Sequence, residues 1–162
     1  MASDFSIRAA CSGDEQALFS LIQALAVFER LSHAVVGNPE QLALHLFGPR
    51  PAAEALLVET EGVAVGFALF FGNYSTFLTQ PGLYLEDIFV LPDYRRRGIG
   101  KALLTEVARI ASNRGCGRLD WSVLEWNTSA IDFYRDVGAA VLPDWRTCRL
   151  SGESLAALAK RG

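Results

Sequence analysis

The chain has 162 residues, 51% hydrophobic and 20% charged, with 15 basic against 18 acidic side chains and a net charge of −3. That length fits one domain, and ten Phe, three Trp and four Tyr supply enough bulky core material to exclude intrinsic disorder. The acid excess argues against a nucleic-acid coat, which needs a basic face, although it leaves room for a local basic pocket.

In chain order, Phe5 to Ala9 alternates as a first strand, and Ser12-Gly-Asp-Glu15 reads as a capping box. Leu18, Leu21, Ile22, Leu25 and Phe28 follow at helical spacing and predict a helix to about Leu31. Asn38-Pro39 marks a second, short helix carrying Leu42, Leu46 and Phe47, stopped near Gly48-Pro49. Ala55 to Thr60, Glu61-Gly62 and Val63 to Phe71 form a hairpin pattern. Its second strand is apolar on both faces and is therefore expected at the centre of the sheet. Asn73 to Gly82 reads as a polar, turn-rich connection before a strand from Leu83 to Leu91, closed by Pro92-Asp93. Ile99, Leu103, Leu104, Val107 and Ile110 predict a helix from Gly98 to Gly115. A strand from Arg118 to Leu124, a helix from Asn127 to Val137 stopped by Gly138, a last strand from Ala140 to Leu150 and a helix from Glu153 to Lys160 complete the pattern. It implies a single α/β domain, 1–162, with a mixed sheet and no repeat or linker.

Cys11, Cys116 and Cys148 are odd in number and widely spaced, which fits reduced thiols in a cytoplasmic compartment. His33 and His45 stand alone without zinc-ligand spacing, so no metal is expected. The start, MASDFSIRAA, lacks the basic and apolar regions of a signal peptide. The longest apolar run, 63–71, is too short for a bilayer, which takes about 20 residues. Neither membrane nor nucleic acid is expected as a partner.

The chemistry concentrates in Leu83-Tyr-Leu-Glu-Asp-Ile-Phe-Val-Leu-Pro-Asp-Tyr-Arg-Arg-Arg-Gly-Ile-Gly-Lys101, a strand running through a basic, Gly-rich turn into a helix. A helix start leaves N–H groups unpaired and carries partial positive charge, so it suits an anion. Gly98 and Gly100 let a phosphate approach the backbone, and Arg95, Arg96, Arg97 and Lys101 add charge. The P-loop pattern fails because Ala102 follows Lys101, and the dinucleotide pattern fails because residue 103 is Leu. What remains is Arg-x-x-Gly-x-Gly, carried by Arg95, Gly98 and Gly100. This is the pyrophosphate-binding signature of the GCN5-related N-acetyltransferase (GNAT) family, which the sequence resembles here. Downstream, Asn127, Ala130, Phe133-Tyr134 and Gly138-Ala139 resemble the second signature of that family. Tyr84-Leu-Glu-Asp-Ile-Phe-Val90, Glu125-Trp-Asn127 and Leu25-Ala-Val-Phe-Glu-Arg-Leu31 look like its spermidine/spermine N1-acetyltransferase and thialysine N-ε-acetyltransferase branch.

The resemblance implies a mixed, mostly antiparallel central sheet with helices on both faces, and acetyl-CoA-dependent transfer to a primary amine by a homodimer. By family position Glu86 is the base and amine anchor, Tyr134 the acid for the CoA thiolate, and Phe28, Glu29 and Asp87 further substrate contacts. Backbone groups of Ile88, Phe89 and Val90, together with Asn127 and Ala130, would hold the pantetheine arm. The segment from Arg95 through Arg96, Arg97, Gly98, Ile99 and Gly100 to Lys101 would hold the pyrophosphate. The neutral loop Asn73-Tyr-Ser-Thr-Phe77 and the sparse acid at Asp144-Trp145 favour a small diamine or a thialysine- or lysine-like amino acid over spermine. A protein or peptide N-acetyltransferase and a CoA-binding module without turnover are the alternatives.

Overall fold

The structure, a computed structural model, describes residues 4–161; the first three residues and Gly162 lie outside it. The chain forms two compact units, Met1–Ser122 and Val123–Gly162.

In the first unit, β1 (Ser6–Ala9), β2 (Glu54–Thr60), β3 (Val63–Ser75), β4 (Gln80–Val90) and β5 (Leu119–Trp121) form one sheet in sequence order. The first three pairings are antiparallel, and β4 pairs with β5 in parallel. This is the mixed, mostly antiparallel sheet the sequence implies, with the doubly apolar β3 at its centre. On one face, Leu18, Leu21 and Leu25 of α1 (Glu15–Phe28) and Leu46 of α2 (Pro39–Phe47) bury against Ala55, Leu57, Phe67 and Phe89. Strand alternation sends Leu56 and Val58 of β2 to the other face. There α3 (Ile99–Asn113) packs on β2, β3 and β4 through Ile99, Leu103, Leu104, Val107 and Ala111. Each of the Leu, Ile, Val and Phe side chains contributes roughly 1.5–3 kcal/mol by leaving water.

Local signals set the helix ends. Asn38 Oδ1 accepts the Gln41 N–H at 2.8 Å, with Pro39 in the first turn, as the sequence predicts. The helix α1 ends earlier than expected, at Phe28. The Leu31 N–H donates to the Ala26 carbonyl and the Arg30 N–H to that of Val27, a Schellman closure that puts Arg30 at φ 61°. The expected Ser12–Glu15 box does not form. Asp14 precedes the helix, Glu15 takes the Gly13 N–H at 2.7 Å, and Asp14 takes the Cys11 N–H at 2.8 Å. Asp14 also joins Glu59 in holding Arg8 between them, at 2.6 and 2.7 Å, which lowers the Asp14 pKa through the Arg8 hydrogen bond.

Three strand expectations change. The ladder between β3 and β4 runs to Ser75 and Gln80, so most of the supposed Asn73–Gly82 connection is paired strand. Gly82 permits this: a Cβ there would sit 2.4 Å from Asn73 Oδ1. Asn73 passes over Gly82 and donates to Asp120 of β5 at 3.3 Å, where Arg118 also donates at 2.7 Å. The strand expected over Arg118–Leu124 shortens to β5, whose ladder with β4 ends at the Leu85–Trp121 pair. No strand forms over 140–150, where Pro143 offers no N–H and begins a turn.

The second unit carries α4 (Thr128–Asp136) and α5 (Gly152–Ala159). Asn127 Oδ1 caps α4 by accepting the Ala130 N–H at 3.3 Å, and Gly138 at φ 93° closes its far end, both as the sequence predicts.

Phe67 is fully buried between α1 and the sheet. Phe67→Ala is expected to cost about 3–5 kcal/mol in urea unfolding, the usual loss when a large core ring leaves a cavity. A loss below 1 kcal/mol, well under the ~3 kcal/mol floor for such rings, would show that this face is not the core.

Candidate active site

The site begins with a register fault. Leu69 of β3 faces Asp87, but its neighbour Phe70 faces Leu85, so Glu86 has no opposite residue. Such a bulge bends its strand and increases the local twist. The ladder to β5 ends at Leu85, the residue before the bulge. From Glu86 to Val90, β4 is therefore paired only with β3. The Leu91 N–H donates to the Val65 carbonyl at 2.9 Å, so by alternation the backbone groups of Phe89 face β3. Those of Ile88 and Val90 face the opened side, where a strand-like ligand can pair with them.

Beyond this edge a short 3₁₀ turn at Pro92–Tyr94 leads to the basic loop. Arg96 (φ 62°) and Gly98 (φ 79°) both adopt left-handed conformations, which Gly98 alone takes without strain. Gly98 opens α3 with no side-chain cap, leaving the helix N–H groups uncovered by the protein's own side chains. A Cβ built on Gly98 or Gly100 would meet nothing within 4 Å, so the space over the helix start is open. Arg96 and Lys101 are exposed beside it. Arg97 lies over the Tyr94 ring at 5.1 Å and donates to the Asp93 carbonyl at 3.3 Å. The Arg95 side chain turns inward: its Nε donates to the Val90 carbonyl at 2.9 Å, and its guanidinium lies over Phe28.

The third component is acidic. Alternation places Asp87 on the α1 face with Phe89, whose ring lies 6.3 Å from that of Phe28. Glu29 follows Phe28 at the closed end of α1. Burial, and then the charges of Glu86 and Glu29, push the Asp87 carboxyl up to about 6. Burial also raises the Glu29 pKa. Glu86, on the bulge, is exposed. The first unit thus brings together Phe28, Glu29, Glu86, Asp87, the Ile88–Val90 edge and the Arg95–Lys101 loop. Adjacent strand residues ordinarily face opposite ways, and the bulge relaxes that rule for Glu86 and Asp87.

In the second unit, Asn127, Ala130 and Tyr134 share α4. Tyr134 is buried, at 8% exposure, with its ring 5.4 Å from that of Phe133. Among the described residues no group of three or more His, Cys, Asp or Glu could hold a metal ion, and no helix is long and apolar enough to cross a membrane. The three cysteines are free thiols.

The Asp87 shift has a consequence for stability. An acid whose pKa is raised by folding supports the fold fully below its unfolded value, and that support is lost as pH rises through about 6. Asp87→Asn escapes the loss. It is expected to be more stable than wild type at pH 8 by up to about 3 kcal/mol, the cost of a two-unit shift, with the advantage vanishing near pH 4. Thermal melts at both pH values check this, and an equal difference at both would mean that Asp87 titrates normally.

The acetyltransferase (GNAT) family model matches residues 22–139. The L-ornithine N5-acetyltransferase of Arabidopsis thaliana is 37% identical, over 95% of this chain and 87% of its own. The thialysine N-epsilon-acetyltransferase of Mus musculus is also 37% identical, over 96% and 97%. An integron cassette protein from the mobile metagenome of V. cholerae shares the fold with a TM-score of 0.81, at 24% identity over 97% of this chain and 98% of that one. The chain belongs to the acetyltransferase (GNAT) family and is an N-acetyltransferase.

Proposed function

We propose that the protein transfers the acetyl group of acetyl-CoA to the distal primary amine of a small diamine or of an ornithine-, thialysine- or lysine-like amino acid. The observation that carries this reading is the carboxylate group of Glu29, Glu86 and Asp87 beside an unpaired strand edge and an uncapped helix start. One part suits a cation, the other an anionic chain with an amide-bearing arm. The relatives named for ornithine and thialysine support a short amino acid with a terminal amine. The absence of acid from the 73–77 segment also favours a compact substrate over a long polycation.

The residues fit acetyl-CoA. Ile88 and Val90 offer backbone groups to the pantetheine amides, and the family resemblance adds Asn127 and Ala130 to the residues for that arm. The loop from Arg96 to Lys101 and the N–H groups of α3 meet the pyrophosphate. An alkyl ammonium of pKa ~10.4 costs about 4.6 kcal/mol to deprotonate at pH 7. Glu86, exposed on the bulge, anchors the ammonium and receives its proton. Asp87, with a carboxyl pKa of about 6, is poised to share that proton near neutrality. The freed nitrogen bonds to the thioester carbonyl carbon and the carbon–sulfur bond breaks; by family position the Tyr134 hydroxyl gives its proton to the departing thiolate, and the second proton that the nitrogen sheds as the amide forms restores that hydroxyl. The enzyme is further proposed to act in the cytoplasm as a homodimer, which a monomeric mass in sedimentation would contradict.

Glu86→Gln, Asp87→Asn and Tyr134→Phe are each expected to lower kcat/KM by ~10²-fold or more, the usual scale of lost acid–base help. Acetyl-CoA binding by calorimetry should change little. Wild-type kcat/KM should fall as pH drops below about 6, a step that Asp87→Asn removes. Turnover on ornithine, thialysine, lysine, putrescine, spermidine, spermine and lysine peptides ranks the substrates. Preference for spermine or for peptides would replace the substrate class, and cofactor binding without turnover on any amine would make the protein a CoA-binding module.

A further inference from the structure

Arg95 opens the Arg-x-x-Gly-x-Gly signature, where the family resemblance implies a pyrophosphate contact. Its side chain is engaged elsewhere. The guanidinium lies 4.4 Å from the centroid of the Phe28 ring and 5.4 Å from that of Phe89, while Nε donates to the Val90 carbonyl at 2.9 Å. Three elements meet in this one residue: the last turn of α1, the opened edge of β4 and the loop before α3. A planar guanidinium can stack on a ring while its edge donates a directed hydrogen bond, which an ammonium cannot do in the same way. Burial also lowers the Arg95 pKa, as it does when a cation is drawn out of water. Swinging Arg95 out to a phosphate would strip the Val90 carbonyl of its donor and uncover both rings. Arg96 and Lys101, exposed at the same loop, can carry the anion's charge without that cost.

The residues that Arg95 grips adjoin the acidic group. Phe28 precedes Glu29, and Phe89 lies two residues beyond Asp87 on the same face of β4. We propose that Arg95 is a positioning residue for the amine half of the site: it fixes the end of α1 against β4, and so sets the separation of Glu29 from Asp87, instead of binding the pyrophosphate through its side chain. Through the Val90 carbonyl it also holds the far end of the strand edge. One side chain thereby couples the two halves of the site.

The proposal rests on the acetyl-transfer reading for its kinetic consequence, whereas the contact and its electrostatic effect are measurable without turnover. In ¹H–¹⁵N spectra of the free protein, the Arg95 Nε–H, assigned by its loss in Arg95→Lys, is expected as a slowly exchanging, ring-shifted signal that moves in Phe28→Leu. An exchange-averaged signal, or none, overturns the contact. Arg95→Lys keeps the charge but loses the plane. In that variant the Asp87 carboxyl midpoint, followed by ¹³C shifts, should move down from about 6 as Glu29 recedes. An unchanged midpoint overturns the positioning role.

Kinetically, Arg95→Lys and Phe28→Leu should each raise the KM for the amine about tenfold, and the double variant should be no worse than the poorer single, because the pair acts as a unit. The acetyl-CoA KM should stay within about threefold in both variants and also in Arg95→Gln, where a phosphate-binding charge would be lost. Near-normal Arg95→Lys together with a large, salt-sensitive rise in the acetyl-CoA KM for Arg95→Gln would make Arg95 an anion ligand and sink the proposal. If the wild type acetylates no amine, the functional reading fails, and the two spectroscopic measurements still decide the role of Arg95.

Discussion

One unpaired residue in a strand governs the rest of the site. Between β3 and β4 the register slips at Glu86, and the parallel ladder to β5 ends one residue earlier. A regular β4 would continue beside β5 and cover its own backbone. The bulge instead leaves the Ile88 backbone groups and the Val90 N–H on a side with no neighbouring strand, a liability in most sheets, while the Val90 carbonyl takes the Arg95 Nε–H. Here it leads directly into the uncapped start of α3. The Asn73–Asp120 bond over Gly82 ties β5 in place just before the divergence. The strands are thus clamped on one side of the bulge and open on the other.

The same fault sorts the charges. Downstream of it lie the exposed Arg96 and Lys101 and the N-terminal end of α3. At the bulge and on the α1 face lie Glu86, Asp87 and Glu29. A net charge of −3 describes neither region. Like charges held this close are costly, and Asp87 absorbs part of the cost by keeping a proton more readily than an ordinary aspartate.

Much of this was legible in the sequence because the signals were local. Asn38-Pro39, Asn127 and Gly138 act at their own helix ends, and Arg95, Gly98 and Gly100 mark the loop by spacing alone. What stayed hidden depends on partners distant in the chain. A bulge has no composition of its own, since it exists only in the register with β3. Gly82 and Pro81 read as turn residues, yet they sit in a ladder because Asn73 needs the space that a Cβ would fill. A last strand is expected over 140–150, but a stretch of sequence cannot supply a neighbouring strand and Pro143 interrupts it. The inward turn of Arg95 required knowing that Phe28 and Phe89 lie beneath it.

The raised pKa of Asp87 would give ligand entry a measurable signature. Near pH 6 the free carboxyl is protonated in about half of the molecules. On the proposed reading, an arriving ammonium favours the ionised form, so its binding would expel the retained proton into solution. The apparent binding enthalpy near that pH then includes the buffer's heat of protonation, and affinity weakens in acid although the ligand's own charge is unchanged. The cationic guest thus completes the negative charge of its own host.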